Sequence, residues 1–263
     1  MTVNNIARNQ MSQPMMRLAS GNRINSAADD AAGLAIMEGM EAQIRGLDQG
    51  TRNTMDMQAL VNTAEGGLDT ISDSLNRIRE LSVQAANDTL SPTNRGMIQR
   101  EITQLTEGIQ AAVEGVQFNT INLLDGSVQN FNTASGPDGT GAQVSINDMS
   151  DIAQAITNFN MANATAADIG AFINNVDELM GQVNMERAAL GAISNTFDFT
   201  ASFNSLASLN LADARSRIAD ADIAVEMMAV NQERVLNEMQ ILMQQQEQER
   251  VEREGIAPAA AVV

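Results

Sequence analysis

From Met37 to Ala85 the apolar residues recur at alternating spacings of three and four, the spacing of a coiled-coil seam on one helix. One register runs Met37, Met40, Ile44, Leu47, Thr51, Thr54, Gln58 and Val61; a second, shifted by a step, runs Ala64, Leu68, Ile71, Leu75, Ile78 and Ala85. Such a shift is the mark of a stammer in a long helix rather than of two domains, and Gly66 and Gly67 soften the helix at the same place. Asn87 to Asn94 (NDTLSPTN) breaks the pattern with turn formers, and Ser91 before Pro92 predicts an N-cap with proline at the first helical position. The next helix carries the seam Ile98, Ile102, Leu105, Ile109, Ala112 and Val116. Two long helices joined by so short a turn are predicted to lie antiparallel.

The stretch Leu124 to Asn160 reads differently. Gly136-Pro137-Asp138-Gly139-Thr140-Gly141 is a turn cluster, and Val144 and Ile146 alternate as in a small hairpin strand. Helical spacing returns with Phe172, Val176, Leu179, Val183, Leu190, Ile193 and Phe197, and again with Ile223, Met227, Val230, Val235, Met239 and Leu242. Neither half buries its stripe alone, so each is expected to pack against the other. The predicted fold is all-α: a long antiparallel coiled coil or helical bundle formed by the N- and C-terminal halves, with a small irregular or β-hairpin region between them. The expected divisions are a terminal helix and joint over 1–30, the N-terminal half of the helical core over 31–126, a short variable linker or hairpin over 127–165, the C-terminal half of the core over 166–215, and a terminal helix with a polar tail over 216–263. The last residues, after the charge-mixed QQQEQERVERE, lose all periodicity and are expected to be disordered.

Composition narrows the chemistry. Aromatics are 3% of the chain, Trp and Tyr are absent, and there are 17 Met, a palette that suits helix-on-helix packing better than a β-sandwich. Cys, His and Lys are also absent, so all 15 basic residues are Arg. This excludes a lysine-dependent phosphate loop, a Ser-His-Asp triad, an HExxH zinc site and thiol catalysis. A net charge of −18 argues against nucleic acid as a partner and favours a soluble, mutually repelling monomer. No apolar run approaches the roughly 20 residues that span a bilayer, so membrane insertion is not expected. No charged n-region and apolar h-region open the chain, so any export is expected to use a route other than a cleaved signal peptide.

With these residues in view the chain resembles a known family, the bacterial flagellins. The resemblance rests on SGNRINSAADDAAGLAI (from Ser20), AQIRGLDQGTRN (from Ala42), AEGGLDTISDSLNRIRELSVQAAND (from Ala64), QREITQLTEGI (from Gln99) and QFNTINLLDG (from Gln117) in the first half. In the second half it rests on MERAALGAISNTF (from Met185) and ARSRIADADIAVEM (from Ala214). The resemblance implies a short, core-only filament subunit, extracellular in the flagellum and serving motility. Such a subunit is exported unfolded through a type III channel with an export chaperone and polymerises with itself beneath a cap protein. Its paired terminal helices form the coiled-coil core, and its ends fold only in the filament. Absence of cysteine fits that route, since a disulfide would obstruct an unfolded chain in transit. A hook-filament junction protein and a non-flagellar signalling or scaffold coiled coil are the alternatives. The departures are a segment before Leu18-Ala19-Ser20-Gly21 shorter than usual, a Gln- and Glu-rich ending, Asn22 at a usually apolar position, Thr120 where glycine is common, and Thr196 and Phe199 at usually charged and polar positions.

Two groups are candidate sites. Asp29-Asp30 is the sharpest candidate for cation or proton chemistry, but Ser26 and Asp29 have the S-x-x-D spacing of a capping box, which sets both aspartates in the first turn of a helix. Asp220-Ala221-Asp222 fails as a calcium loop, because Val225 and Asn231 stand where glycine and glutamate are needed. No catalytic residue, metal or cofactor is expected, and an Asp29/Asp30 hydrolase lacks a third ligand. The family resemblance also marks Arg77, Leu81 and Glu101 as a surface for the Toll-like flagellin receptor, overlapping an inter-subunit contact: arginine as a forked donor, leucine as an apolar anchor. The plain alternative is a solvated helix face with local charge pairs.

Overall fold

The computed structural model describes residues 13–255, with side chains described through Arg250. The start of the terminal helix (1–12) and the end of the tail (256–263) lie outside the described residues. Residues 13–20 are helical (α1), followed by α2 (Ala31–Ala85), α3 (Pro92–Gly115), β1 (Gln117–Phe118), β2 (Ile121–Asn122), β3 (Asn130–Asn132), β4 (Gln143–Ser145), α4 (Ser150–Thr157), a 3-10 turn (Met161–Asn163), α5 (Ala166–Ala219) and α6 (Ile223–Gly255). The fold is all-α, as predicted, with two short antiparallel hairpins, of which only β3–β4 falls in the region where one was expected. Contacts gather the chain into two compact units, residues 44–208 and a discontinuous unit of residues 1–43 with 209–263.

In the 44–208 unit, α2 buries Val61, Ala64, Leu68, Ile71, Leu75, Ile78 and Ala85, positions of the registers read from spacing, and also Leu60, which lies outside them. The seam of α3 supplies Ile98, Ile102, Ile109 and Val113, and that of α5 supplies Phe172, Val176, Leu179, Val183, Leu190 and Phe197. The turn between α2 and α3 is closed by Asn87, whose side-chain oxygen accepts from Thr89, and Ser91 Oγ accepts from Asn94 N–H with Pro92 at the start of α3. Helices α2 and α5 run antiparallel: moving ten residues along α2, from Asp48 to Gln58, takes the hydrogen-bond partner ten residues back along α5, from Ser208 to Asp198. Ion pairs Arg187–Glu65 (2.8 Å) and Arg79–Asp177 (2.6 Å) continue the same direction.

The middle of the chain is more than the expected linker. Strand β3 pairs with β4 in the predicted hairpin, but residues 146–157 add Ile146, Met149, Ile152 and Ile156 to the core, the last two from α4. The tip of the hairpin loop rests on α2, where Gly46 and Gly50 make room. A Cβ on Gly46 would stand 2.8 Å from Pro137 Cα, and one on Gly50 would collide with the Ser135 carbonyl. Both long helices then donate to adjacent carbonyls of the loop, Asn53 Nδ2 to Ala134 O (2.8 Å) and Asn204 Nδ2 to Ser135 O (2.7 Å). A second hairpin, β1–β2, turns on Asn119 and Thr120, both with positive φ (48° and 65°). A β-branched residue is strained in this conformation, which two-residue hairpins normally give to glycine.

The second unit is tied at its joint. Gly21, with φ +72°, turns the chain after α1 and accepts through its carbonyl from Ala221 N–H (2.9 Å), while Arg23 N–H donates to Ala219 O (2.6 Å). Ile24, Met37 and Ala219 form a small buried cluster flanked by Leu34 and Ile218. Arg17 pairs with Glu226 (3.3 Å) and Arg215 with Glu41 (2.9 Å).

Candidate interaction surfaces

The Ser26–Asp30 stretch is structural punctuation of a kind different from the predicted one. Asp29 Oδ2 accepts from Asn25 N–H (3.1 Å), Ser26 N–H (2.9 Å) and Ser26 Oγ (3.0 Å), closing a turn. These bonds, the Asn25 amide first, hold the Asp29 carboxyl below the usual aspartate range. Helix α2, however, begins at Ala31, so neither aspartate lies in its first turn. The cap of α2 is Asp30, whose Oδ1 accepts from Gly33 N–H (2.8 Å). Ser26 and Asp29 therefore clasp the turn before the helix. The reciprocal capping box sits at the start of α5: Thr165 N–H and Oγ donate to Asp168 Oδ2, Asp168 N–H donates to Thr165 Oγ, and the Asp168 carboxyl is lowered accordingly. Asp222 caps α6 through Ala224 N–H (2.9 Å), and Asp220 accepts from Ser216 Oγ. Asn22 forms a β-bridge with Asp220 inside the same joint.

Arg77 and Glu101 are brought together. Arg77 on α2 donates through Nε (3.0 Å) and Nη2 (2.8 Å) to one oxygen of Glu101 on α3, and through Nη1 to Glu80 (3.0 Å). Both partners stay about half exposed, and the Glu101 contact above all raises the guanidinium pKa. Leu81 does not join them: it is 2% exposed, packed in the core, so the expected apolar anchor is absent from this surface. Leu81 lies one helical turn from Arg77, but its side chain is enclosed in the core cluster.

Two features escaped the sequence reading. Glu186, buried on α5, accepts from Asn147 N–H (3.1 Å) through Oε1 and from Asn147 Nδ2 (2.7 Å) through Oε2, pinning the segment after β4. Its position between Val183 and Leu190 was the available signal, an acid on an apolar seam. On the opposite side of α5 from Phe197, Phe199 is 72% exposed and stacks on Phe203 at 6.5 Å between ring centroids. Most apolar residues of α6 are likewise exposed, Val230 being half-buried, and they are not confined to the predicted stripe: Val225, Met228, Leu236, Ile241 and Met243 are exposed beside it. Among the described residues no helix is long and apolar enough to cross a membrane.

Long paired helices with uncovered apolar side chains define a helical protein with open packing surfaces. Residues 1–129 match the bacterial flagellin N-terminal helical region and residues 173–251 the bacterial flagellin C-terminal helical region. The chain belongs to the bacterial flagellins, a family of structural proteins. It is 40% identical to a flagellin of Halalkalibacterium halodurans, covering 88% of this chain and 85% of that one, and 37% identical to a flagellin of Bacillus subtilis, covering 90% of each. The flagellar filament 30.7 kDa core protein of Treponema maltophilum is 33% identical over 90% of this chain and 88% of its own. Among solved structures, Bacillus cereus flagellin aligns with a TM-score of 0.52 at 27% identity, over 58% of this chain and 88% of that one. A putative flagellar hook-associated protein from Vibrio parahaemolyticus shares the fold, with a TM-score of 0.63 at 15% identity over 73% of this chain and all of that one.

Proposed function

We propose that this chain is a non-catalytic subunit of the extracellular flagellar filament, exported unfolded by the type III route with a chaperone and added to copies of itself beneath a cap, for motility. One observation carries the reading: both flagellin terminal regions lie on one chain, and α2 and α5 close into a common core while the apolar residues of α6 stay uncovered. Burying those residues against neighbouring copies supplies the drive for assembly. A cell lacking its filament protein, supplied with this chain, is expected to regain helical filaments in the electron microscope and to swim. Stubs that end at the hook would support a junction protein instead, and soluble dimers a scaffold coiled coil.

A second reading rests on the exposed Arg77–Glu101 pair, which supports an innate immune receptor contact bridging α2 and α3. Binding of the monomer to the Toll-like flagellin receptor that is unchanged by Arg77→Asp would contradict it.

A further inference from the structure

Helix α6 carries four methionines whose side chains are exposed in the single subunit, Met227 (51%), Met228 (64%), Met239 (55%) and Met243 (68%). Their neighbours Ile223, Val225, Val235, Leu236, Ile241 and Leu242 are about half exposed or more, and at 3.6 residues per turn the exposed apolar positions spread over a wide arc of the helix, leaving one side to Glu226, Glu233, Asn237 and Gln240. An apolar face this wide, left open to water, is at home only when other surfaces cover it. For a chain that polymerises, the enclosing surface is other copies of the same chain. The sulfur atoms therefore pass from water to a dry interface as a subunit joins the filament.

The rest of the composition makes methionine the weak point. Cys, Trp and Tyr are absent, so the thioethers are the most readily oxidised side chains the protein has. Hydrogen peroxide oxidises a thioether in one two-electron step. A sulfur lone pair attacks one peroxide oxygen, the O–O bond breaks, the S–O bond forms, and the second oxygen leaves as water after taking up a proton. Sulfur loses two electrons and peroxide gains them. The product sulfoxide is polar and chiral, and it resists burial without a hydrogen-bond donor.

We propose that Met227, Met228, Met239 and Met243 form an oxidation-sensitive modification site: as thioethers they admit the subunit to the filament, and as sulfoxides they exclude it. The inference rests on the filament reading above and adds a chemical condition to it. Assembled copies are protected, and unassembled ones are vulnerable.

The test uses full-length monomer treated with hydrogen peroxide, quenched with catalase and added to short filament seeds of the same chain. Peroxide is expected to slow elongation about tenfold or more, while a Met227→Leu, Met228→Leu, Met239→Leu, Met243→Leu variant keeps its untreated rate. Met15, Met16, Met55, Met97 and Met185 remain exposed and oxidisable in that variant, so its resistance assigns the effect to α6. Equal slowing of the variant, or no slowing of the native chain, overturns the inference alone. Failure of untreated native monomer to extend seeds overturns the filament reading and this inference with it. Peptide mass spectrometry of the native chain gives an answer independent of the variant's folding: sulfoxide on the four residues is expected to form about tenfold more slowly in filaments than in monomer. Equal rates overturn the inference.

Discussion

Helix α2 between Leu60 and Ala85 and helix α6 between Ile223 and Met243 are both rich in aliphatic residues, and they meet opposite fates. In α2 the apolar positions fall on seams that α3 and α5 cover, so Leu68, Ile71, Leu75 and Ile78 are fully buried within one chain. In α6 the apolar positions spread over a wider arc, with Glu226, Glu233, Asn237 and Gln240 on the remaining side, and most of them stay exposed. Density of apolar residues alone thus fails to separate a core helix from an assembly helix. Burial separates them: the aliphatic residues of the first make a core within one chain, and those of the second stay open, which under the proposed function leaves them to neighbouring copies.

The comparison is broken most directly by truncation. Ile71→Ala is expected to remove about 2–5 kcal/mol of monomer stability, read from the urea midpoint by circular dichroism, because it opens a cavity among fully packed neighbours. Leu236→Ala in α6, half exposed, is expected to stay within about 0.5 kcal/mol while reducing seeded filament growth. Equal destabilisation by the two would erase the distinction.

Glu186→Ala sharpens the α2–α5 side. It removes both acceptors of Asn147, for N–H and for Nδ2, from a buried position on α5 and is expected to cost about 1–3 kcal/mol, with the loss of protection concentrated in residues 143–157 by hydrogen exchange. Thr120→Gly works in the opposite direction. It relieves a left-handed β-branched residue and is expected to raise stability by about 1 kcal/mol in the same denaturation assay.

The smallest effect is that of acid. Asp29, Asp125 and Asp168 all have carboxyls held below their ordinary value by hydrogen bonds to their charged form. A lowered folded pKa contributes stability that is complete above the unfolded value of about 3.9 and is lost as pH falls through the folded value. The urea midpoint is therefore expected to be flat from pH 6 to about 5 with respect to these groups and to decline below about 4. Asp125→Asn, which removes the titrating carboxyl and replaces one of the two acceptor oxygens for Ser127 N–H and Asn122 Nδ2 by a donor, is expected to flatten part of that decline.

Much of this was legible from residue spacing. The seams of α2, α3 and α5 appear as runs of three and four, and the Ser91-Pro92 start of α3 appears as written. What stayed hidden had particular causes. Hairpin β1–β2 turns on Asn119-Thr120, where the familiar Asn-Gly signal is missing. Helix α4, Ser150–Thr157, is too short for a 3.6-residue period to declare itself. Leu81 falls outside the register Leu75, Ile78 and Ala85, so spacing alone gives no sign of its burial. Ser26-x-x-Asp29 and Thr165-x-x-Asp168 have the same spacing, and only the backbone that follows distinguishes a clasped turn from a capped helix. Gly46 and Gly50 mark a seat for the hairpin loop, yet their spacing names no partner.

Hydrogen exchange of the soluble monomer and of the assembled filament tests the central contrast most directly. The account predicts slow exchange in both states for the core segments of α2 and α5 around Leu68–Ile78 and Val176–Leu190. For α6 over Met227–Met243 it predicts fast exchange in the monomer that becomes slow on assembly. Equally slow exchange of α6 in the isolated monomer, or fast exchange that assembly leaves unchanged, would contradict it.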